Sequence, residues 1–339
     1  MTYRLKRQYL IETLHEIARA CLVLMLLGFL ISFLSPYWWI GDLLRNMILQ
    51  FFIGATILAV FFLLTKRKIS LIACSAVMIM TLAMILEPYQ PTANAADDQS
   101  SLSIMHFNRL VSRQNHEELK EEILNLSPDI VILQEANQSL VNMTDGIKDK
   151  YPYGVTKLYR GAFGMIILSR HPITDHQIIE IPGPYFVNYT IRSEISIPNL
   201  DQPLVLYGLH ALPPMDHLKW LQRNIELESI AQKISAETSP YVIMAGDWNI
   251  TPYSPFFKRL LENSGLRYQR PTPYPVPTWP VQFTCPLLQI PIDHILAKPS
   301  LTLYDWQRLP AFDSDHFGIN VHIQKQPQKF DPQQAKRVE

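Results

Sequence analysis

Three apolar runs near the start of the chain, at residues 17–34, 43–64 and 69–86, constrain the fold more than any other feature. Each is close to the roughly 17–25 residues that a helix needs to cross a bilayer core. Buried core helices of a soluble protein are the alternative, but such helices rarely follow one another three times without polar residues breaking the run. The spacing therefore predicts three transmembrane helices. Arg19 and Arg45 lie near the starts of the first two runs, where long cationic side chains reach the interface.

Basic residues set the expected orientation. Arg4, Lys6 and Arg7 precede the first run, and Lys66-Arg67-Lys68 separates the second from the third. Positively charged loops stay cytoplasmic, so the N-terminus and the second loop are expected inside. The first loop, Ser35-Pro36-Tyr37-Trp38-Trp39-Ile40-Gly41, then lies outside with its aromatic rings at the interface. Three crossings put everything after Glu87 on the extracytoplasmic side, which is the periplasm in a Gram-negative cell. Ala93-Asn94-Ala95 has the small-x-small form of a signal peptidase site. The surrounding Pro/Ala/Asp/Gln composition reads better as a flexible linker.

The balanced charge of the whole chain, 30 basic against 30 acidic residues, conceals an asymmetry. Up to Tyr89 there are 8 basic and 4 acidic residues; from Asp97 onward there are 22 and 26, a net charge of −4. That sign lacks the overall basic footprint of a tight, non-specific DNA binder. Cys21 and Cys74 fall in apolar runs and only Cys285 lies in the remainder, so no disulfide is expected within it.

From Ser101 the pattern changes to short β-rich segments. Residues 102–107, 130–133, 165–169, 189–197, 204–209, 242–245, 292–296 and 319–323 read as strands. Residues 116–125 and 218–234 carry apolar side chains at helical spacing, and Ser254-Pro255 opens a helix through Leu261. Mixed elements of this kind predict a layered α/β domain. The expected organisation is an anchor over 1–90, a linker over 91–100, a domain over 101–324 and a polar tail over 325–339. No internal repeat is evident. Residues 271–286 form a proline-rich loop carrying Tyr274, Trp279 and Phe283.

Several residues suited to chemistry stand at strand ends. Asn108 follows the first strand and Glu135 follows Ile130-Val131-Ile132-Leu133-Gln134; His210 ends the run 204–209. Taken singly, they read as a turn residue, a helix-start carboxylate and a structural histidine. Asp247 and Asn249 follow Val242-Ile243-Met244-Ala245-Gly246, and their spacing of two lets both side chains face one way. Gly246 admits close backbone approach there. Asp293 follows Ile292, and Asp313-Ser314-Asp315-His316 precedes the last apolar run. Metal-dependent phosphoester hydrolysis asks for this set: a carboxylate to take a proton from water, imidazolium and amide groups to hold phosphoryl oxygens, and further carboxylates for a cation.

Read together, these segments resemble the endonuclease/exonuclease/phosphatase superfamily over roughly 101–323. The resemblance rests on Phe107-Asn108, Leu133-Gln134-Glu135, Gly164 through Arg170, Gly208-Leu209-His210, Gly246-Asp247-Trp248-Asn249, Thr278-Trp279-Pro280, Ile292-Asp293-His294 and Ser314-Asp315-His316. It implies a four-layered α/β sandwich, with two packed mixed sheets flanked by helices. Glu135 would be the principal ligand of Mg²⁺, or of Mn²⁺, assisted by Asn108. Asp247 would activate or orient the attacking water, and Asn249 would hold a phosphoryl oxygen. His210 and His316 would bind the phosphate, with Asp293 orienting His316. Asp315 would approach the metal or polarise His316, while Arg192 and Trp279 would contact substrate. The choice of general base among the carboxylates stays open.

With its three apolar runs the chain also resembles the membrane-tethered bacterial branch of that superfamily, which implies a multi-pass protein of the cell inner membrane. The expected partners are the lipid bilayer and a phosphoester substrate, with no obligate protein partner evident. Nucleic acid, a phospholipid or sphingolipid headgroup and a small phosphoester all remain open as substrates. A catalytically idle binding module on a membrane anchor is the alternative from a different class.

Overall fold

The computed structural model describes residues 3–87, 90–91, 101–270 and 276–326. Ala93-Asn94-Ala95, most of the expected linker, Tyr274 and the tail from residue 327 lie outside these. Four helices come first: α1 (Tyr3–Ser32), α2 (Trp39–Arg45), α3 (Ile48–Leu64) and α4 (Lys68–Leu86). Two of them, over Tyr9–Ser32 and Lys68–Leu86, are long and apolar enough to cross a membrane, or three if the bent pair α2–α3 counts as one span. The second apolar run is thus not one straight helix. It breaks at Asn46-Met47 with a bend of 61°. Polar residues accompany the bend: Asp42, just before the run, and Asn46, at the break, are buried and hydrogen-bonded to Ser254 and Thr251 of the following domain.

The strand β1 (Gln90–Pro91) pairs in parallel with β10 (Gln269–Arg270). The remaining strands form two sheets. The six-stranded sheet is built from β2 (Leu102–Asn108), β3 (Ile130–Gln134), β4 (Tyr153–Lys157), β5 (Met165–Ser169), β12 (Leu301–Arg308) and β13 (Ile319–Lys325), in the order β12-β13-β2-β3-β5-β4. The five-stranded sheet contains β6 (Ile173–Ile181), β7 (Asn188–Ile195), β8 (Leu204–Leu209), β9 (Val242–Asp247) and β11 (Asp293–Ala297), in the order β11-β9-β8-β7-β6. Each sheet is antiparallel except for one central pair, β2 with β3 and β8 with β9. Both parallel pairs are joined through a helix, α5 (Glu117–Leu126) or α7 (His217–Ser235), as parallel neighbours require.

Packing follows from the apolar strand faces. Ile104, Ile130, Ile132, Ile167, Ile191, Leu206, Ile243, Ile295 and Val321 fill the space between the sheets. On the outer face of the six-stranded sheet, Met105, Val131 and Leu133 pack against Leu119 and Ile123 of α5 and Leu140 of α6 (Gln138–Asp145). Val205, Tyr207, Val242 and Met244 pack against Leu227 and Ile230 of α7 and against Phe257 and Leu260 of α8 (Pro255–Ser264). The order is helix, sheet, sheet, helix. Asn137, Asp216 and Ser254 cap the starts of α6, α7 and α8 by accepting from backbone N–H groups.

The domain rests on one end of the N-terminal helical bundle. Asp42 pairs with Arg223 of α7 and accepts from Ser254 Oγ at 2.7 Å. Asn46 Oδ1 accepts from both the amide and the hydroxyl of Thr251, at 2.7 and 2.8 Å. Tyr253 packs among Phe29, Ile48, Ala55 and Ile85 of the bundle, while Lys258 pairs with Glu87 at 2.6 Å. At the far end of the domain, Lys325 pairs with Asp201 and the Gln326 amide donates to Ser300. The first two residues of the expected tail are therefore held in place.

Candidate active site

Both parallel strand pairs end at the same edge of the sandwich, which brings together side chains far apart in sequence. Asn108 ends β2, Glu135 follows β3, His210 follows β8, and Asp247 ends β9 opposite Asp293 at the start of β11. Ser314 Oγ ties the Asp315-His316 turn to this edge by donating to the Asn108 carbonyl at 2.7 Å. Gln134 joins the sheets beneath them: its Nε2 donates to the Leu209 carbonyl and its Oε1 accepts from the Asp247 amide, both at 2.8 Å. Gly246 is required there. Its φ is +149°, and a Cβ would lie 2.0 Å from the Leu209 oxygen and 2.6 Å from Gln134 Nε2. Glu135 and Asn249 also adopt positive φ, 56° and 51°, a local strain characteristic of functional positions.

Asp293 organises the histidines. One carboxylate oxygen meets His106 Nε2 and the other His316 Nδ1, each at 2.9 Å. His316 Nε2 is thereby turned toward Asp247 Oδ2, 3.7 Å away, and His210 Nε2 approaches the same oxygen at 3.6 Å. His210 Nδ1 lies on the Ala162 carbonyl at 3.1 Å, which fixes the tautomer as an Nδ1–H donor. The Asp247 carboxylate also accepts from the Asn249 amide at 2.9 Å. The Asn249 side chain donates to Ala211 O at 3.0 Å.

Burial and mutual charge set the protonation pattern. Burial, and after it the charge of Asp293, push the Asp247 carboxyl up to about 6. Burial also opposes the charge on His316, but Asp293 and Asp247 outweigh it and push the imidazolium up to about 10. Asp293 stays well below the usual carboxylate range. Burial favours its neutral form, and the neighbouring His316 and His106 overcome that preference. The result is an imidazolium held beside two carboxylates in a site closed on its inner side.

Asp247, Asp293 and His316 each offer a ligand atom within 4.8 Å of the others. However, both Asp293 oxygens are engaged by imidazoles, so this trio serves hydrogen bonding better than coordination. Beside it, Asn108 Nδ2 donates to Glu135 Oε1 and to Asp247 Oδ2, both at 3.1 Å. Glu135 is partly open to solvent, and its other oxygen accepts from the Val111 amide at 2.9 Å. Two carboxylates facing one donor form an all-oxygen set that fits a hard divalent cation. Asn108 modifies the expectation: its oxygen accepts from the Leu110 amide at 3.2 Å, so its NH₂ bridges the carboxylates, and direct ligation would require the amide to rotate.

Two residues at the rim complete the inventory. Trp279 Nε1 donates to Asp315 Oδ2 at 3.3 Å, and the Val281 amide donates to the Asp315 carbonyl at 3.0 Å. The second oxygen, Asp315 Oδ1, is buried without a hydrogen-bond partner. Arg192 is not brought to the site. It points to the helix-covered face of the five-stranded sheet, where Glu237 meets its Nε at 2.6 Å and Glu194 its Nη2 at 2.7 Å. Carboxylates occupy its guanidinium, which corrects the expected contact with phosphate. His106 and Gln134 are the residues that sequence reasoning passed over. Their signal was a polar side chain inside an otherwise apolar strand.

Comparison with known proteins agrees with this geometry. A search of the curated proteins finds no match to the chain. Among solved structures, an endonuclease/exonuclease/phosphatase protein from Beutenbergia cavernae is 16% identical with a TM-score of 0.55, covering 69% of this chain and 74% of its own. TDP2 of D. rerio, complexed with a single-strand DNA product, is 20% identical with a TM-score of 0.55, covering 67% of this chain and all of its own. A Bacteroides vulgatus protein of the same description is 14% identical with a TM-score of 0.53, over 67% of this chain and all of its own. At these identities the structures share the fold. The family model described as Endonuclease/Exonuclease/phosphatase family matches residues 107–316, a span that contains every site residue assembled above except His106. The chain belongs to the endonuclease/exonuclease/phosphatase family of hydrolases acting on phosphoester bonds.

Proposed function

We propose that this protein is a membrane-anchored, extracytoplasmic phosphoesterase that uses Mg²⁺, or Mn²⁺ in its place, to hydrolyse phosphodiester or phosphomonoester bonds by in-line attack of water. The observation that carries the reading is the convergence of His316 Nε2 and His210 Nε2 on Asp247 Oδ2, with Asp293 holding His316 from behind. Glu135, with Asp247 and Asn108 adjoining, would hold a divalent cation, which when bound would supply neutralising charge at a phosphoryl oxygen. Asp247 accepts the proton of the attacking water; a carboxyl near 6 is well matched to that task close to neutral pH. His316 donates its Nε2–H to charge that grows as the pentacoordinate state forms. His210 meets the same group from the opposite sheet. A catalytically idle module would have no use for an imidazolium buried between carboxylates.

The placement of the domain supports the extracytoplasmic reading. Its contacts to the anchor fall on Asp42, Arg45, Asn46, Gln50, Ile85 and Glu87. These lie at the opposite helix ends from Lys66-Arg67-Lys68, the loop expected in the cytoplasm. The direct test uses the full chain in nanodiscs, with bis(p-nitrophenyl) phosphate and p-nitrophenyl phosphate as substrates. Cation-dependent turnover that falls at least a hundredfold in Glu135→Ala and His316→Ala supports the reading. No turnover, or full activity in both variants, overturns it. A C-terminal reporter that is active only outside the cytoplasm checks the topology.

A further inference from the structure

The proposed phosphoesterase reading leaves the substrate class open, and the docking of the domain on its anchor narrows it. Three contacts fix the domain with the rim of its site beside the bundle. Asp42 meets Arg223, whose Nη1 donates to the Asn249 carbonyl at 3.2 Å. Asn46 holds Thr251. Gln50 Nε2 donates to the carbonyls of Leu287 and Gln289, at 3.1 and 3.3 Å. Gln50 is the third residue of α3, about 3 Å from the start of an apolar helix. The segment around Leu287 therefore lies where that helix enters the bilayer.

The same segment carries unpartnered apolar side chains. Phe283, Leu287 and Leu288 are 47%, 46% and 51% exposed, and no charged residue occurs between Gln269-Arg270 and Asp293. Large apolar groups left open beside a membrane helix have lipid as their natural cover. Their own loop leads into the site: Val281 and Trp279 both bind Asp315, within a few residues of Phe283. The net charge of −4 after Asp97 removes the general attraction for a polyanion.

We propose that the 279–289 loop inserts into the leaflet that receives α3, and that the site takes a lipid phosphodiester headgroup presented by that leaflet. This rests on the phosphoesterase reading above. Water adds to phosphorus and one P–O ester bond breaks. The proton taken from water ends on the leaving alkoxide. The products are an alcohol and a phosphomonoester, one of which stays in the bilayer.

The test uses the full chain in vesicles of phosphatidylcholine, phosphatidylethanolamine, phosphatidylglycerol and sphingomyelin. Water-soluble deacylated glycerophosphodiesters, a DNA oligonucleotide and bis(p-nitrophenyl) phosphate are run in parallel. At least one lipid is expected to turn over ten times faster than its deacylated counterpart, and Leu287→Ser/Leu288→Ser to lower that ratio at least threefold. A fluorophore on Cys285, which is exposed in this loop, is expected to be quenched by lipids brominated on their acyl chains, in a Cys21→Ser/Cys74→Ser background. If bis(p-nitrophenyl) phosphate is cleaved but no lipid is favoured over its deacylated form, the proposal fails and the phosphoesterase reading stands. Preference for the oligonucleotide, or an unquenched Cys285 label, also overturns it. If nothing is cleaved, the phosphoesterase reading fails and the lipid proposal falls with it.

Discussion

Asp42, on the short helix that interrupts the second apolar run, and Arg223, on the longest helix of the catalytic domain, form an ion pair from which solvent is wholly excluded. Removing one partner leaves an uncompensated buried charge, which costs about 3–5 kcal/mol. Asp42→Ala and Arg223→Ala are each expected to lower the melting temperature of the full chain sharply. Asp42→Leu/Arg223→Met, which removes both charges, should recover much of the loss. Arg223 also holds the Asn249 carbonyl, so the double variant is expected to regain stability while keeping a raised KM. Thermal unfolding and steady-state kinetics on the same preparations check both parts.

Gln134→Leu strips the bridge between the sheets. The Leu209 carbonyl and the Asp247 amide then lose their partner, at about 1–3 kcal/mol for each buried group left unsatisfied. Because one of them positions the proton acceptor, kcat is expected to fall at least tenfold with little change in KM. An unchanged kcat alongside lowered stability would restrict Gln134 to packing.

The pH response has a definite sign. The folded-state value of His316 lies above its usual value of about 6.5. The stabilisation it brings is therefore complete below that value and is lost as pH rises through about 10. Asp293 behaves in reverse: its contribution is present above about 3.9 and disappears as pH falls. Asp247 opposes Asp293 and shares the sign of His316 in a lower window, since ionising it between about 3.9 and 6 weakens the fold as pH rises. The rate is expected to rise through about 6 as Asp247 ionises, with added cation moving that limb to lower pH. Asp293→Asn should bring the alkaline limb down from about 10 toward neutrality. A pH profile of kcat/KM for the variant decides the point.

Arg192→Ala is expected to lower stability through the loss of Glu237 and Glu194 and to leave KM for a soluble phosphodiester unchanged. A selective rise in KM would restore the substrate contact that the sequence had implied.

The eight strands anticipated from β-branched runs all occur, each within two residues of the expected ends. Five were not anticipated: the two-residue pair β1 and β10, and β4, β6 and β12, which are edge strands of the two large sheets. β6 is exposed along most of its length, so it lacks the apolar alternation by which buried strands announce themselves. At the site, the strand-end residues were legible because polar groups follow apolar runs there. Asn108, Glu135, His210, Asp247, Asn249, Asp293, Asp315 and His316 gather at one edge, with Trp279 at the rim. Arg192 misled because the sequence does not show which face of the sheet it points from, and its partners Glu194 and Glu237 occupy it there. Asp42 was hidden differently. It stands just before the second run, where it passes for an interfacial residue, and only the fold reveals Arg223 as its counterion.

The break at Asn46-Met47 has a practical corollary. An ordinary tether is interchangeable, because it contributes only proximity. Here the helix ahead of the break supplies a carboxylate that neutralises a cation inside the catalytic domain, and the residue at the break holds the backbone of Thr251. A chimaera joining residues 101–326 to an unrelated transmembrane segment would inherit an arginine without its counterion. Transplanting this domain onto another anchor therefore means carrying residues 39–50 along with it.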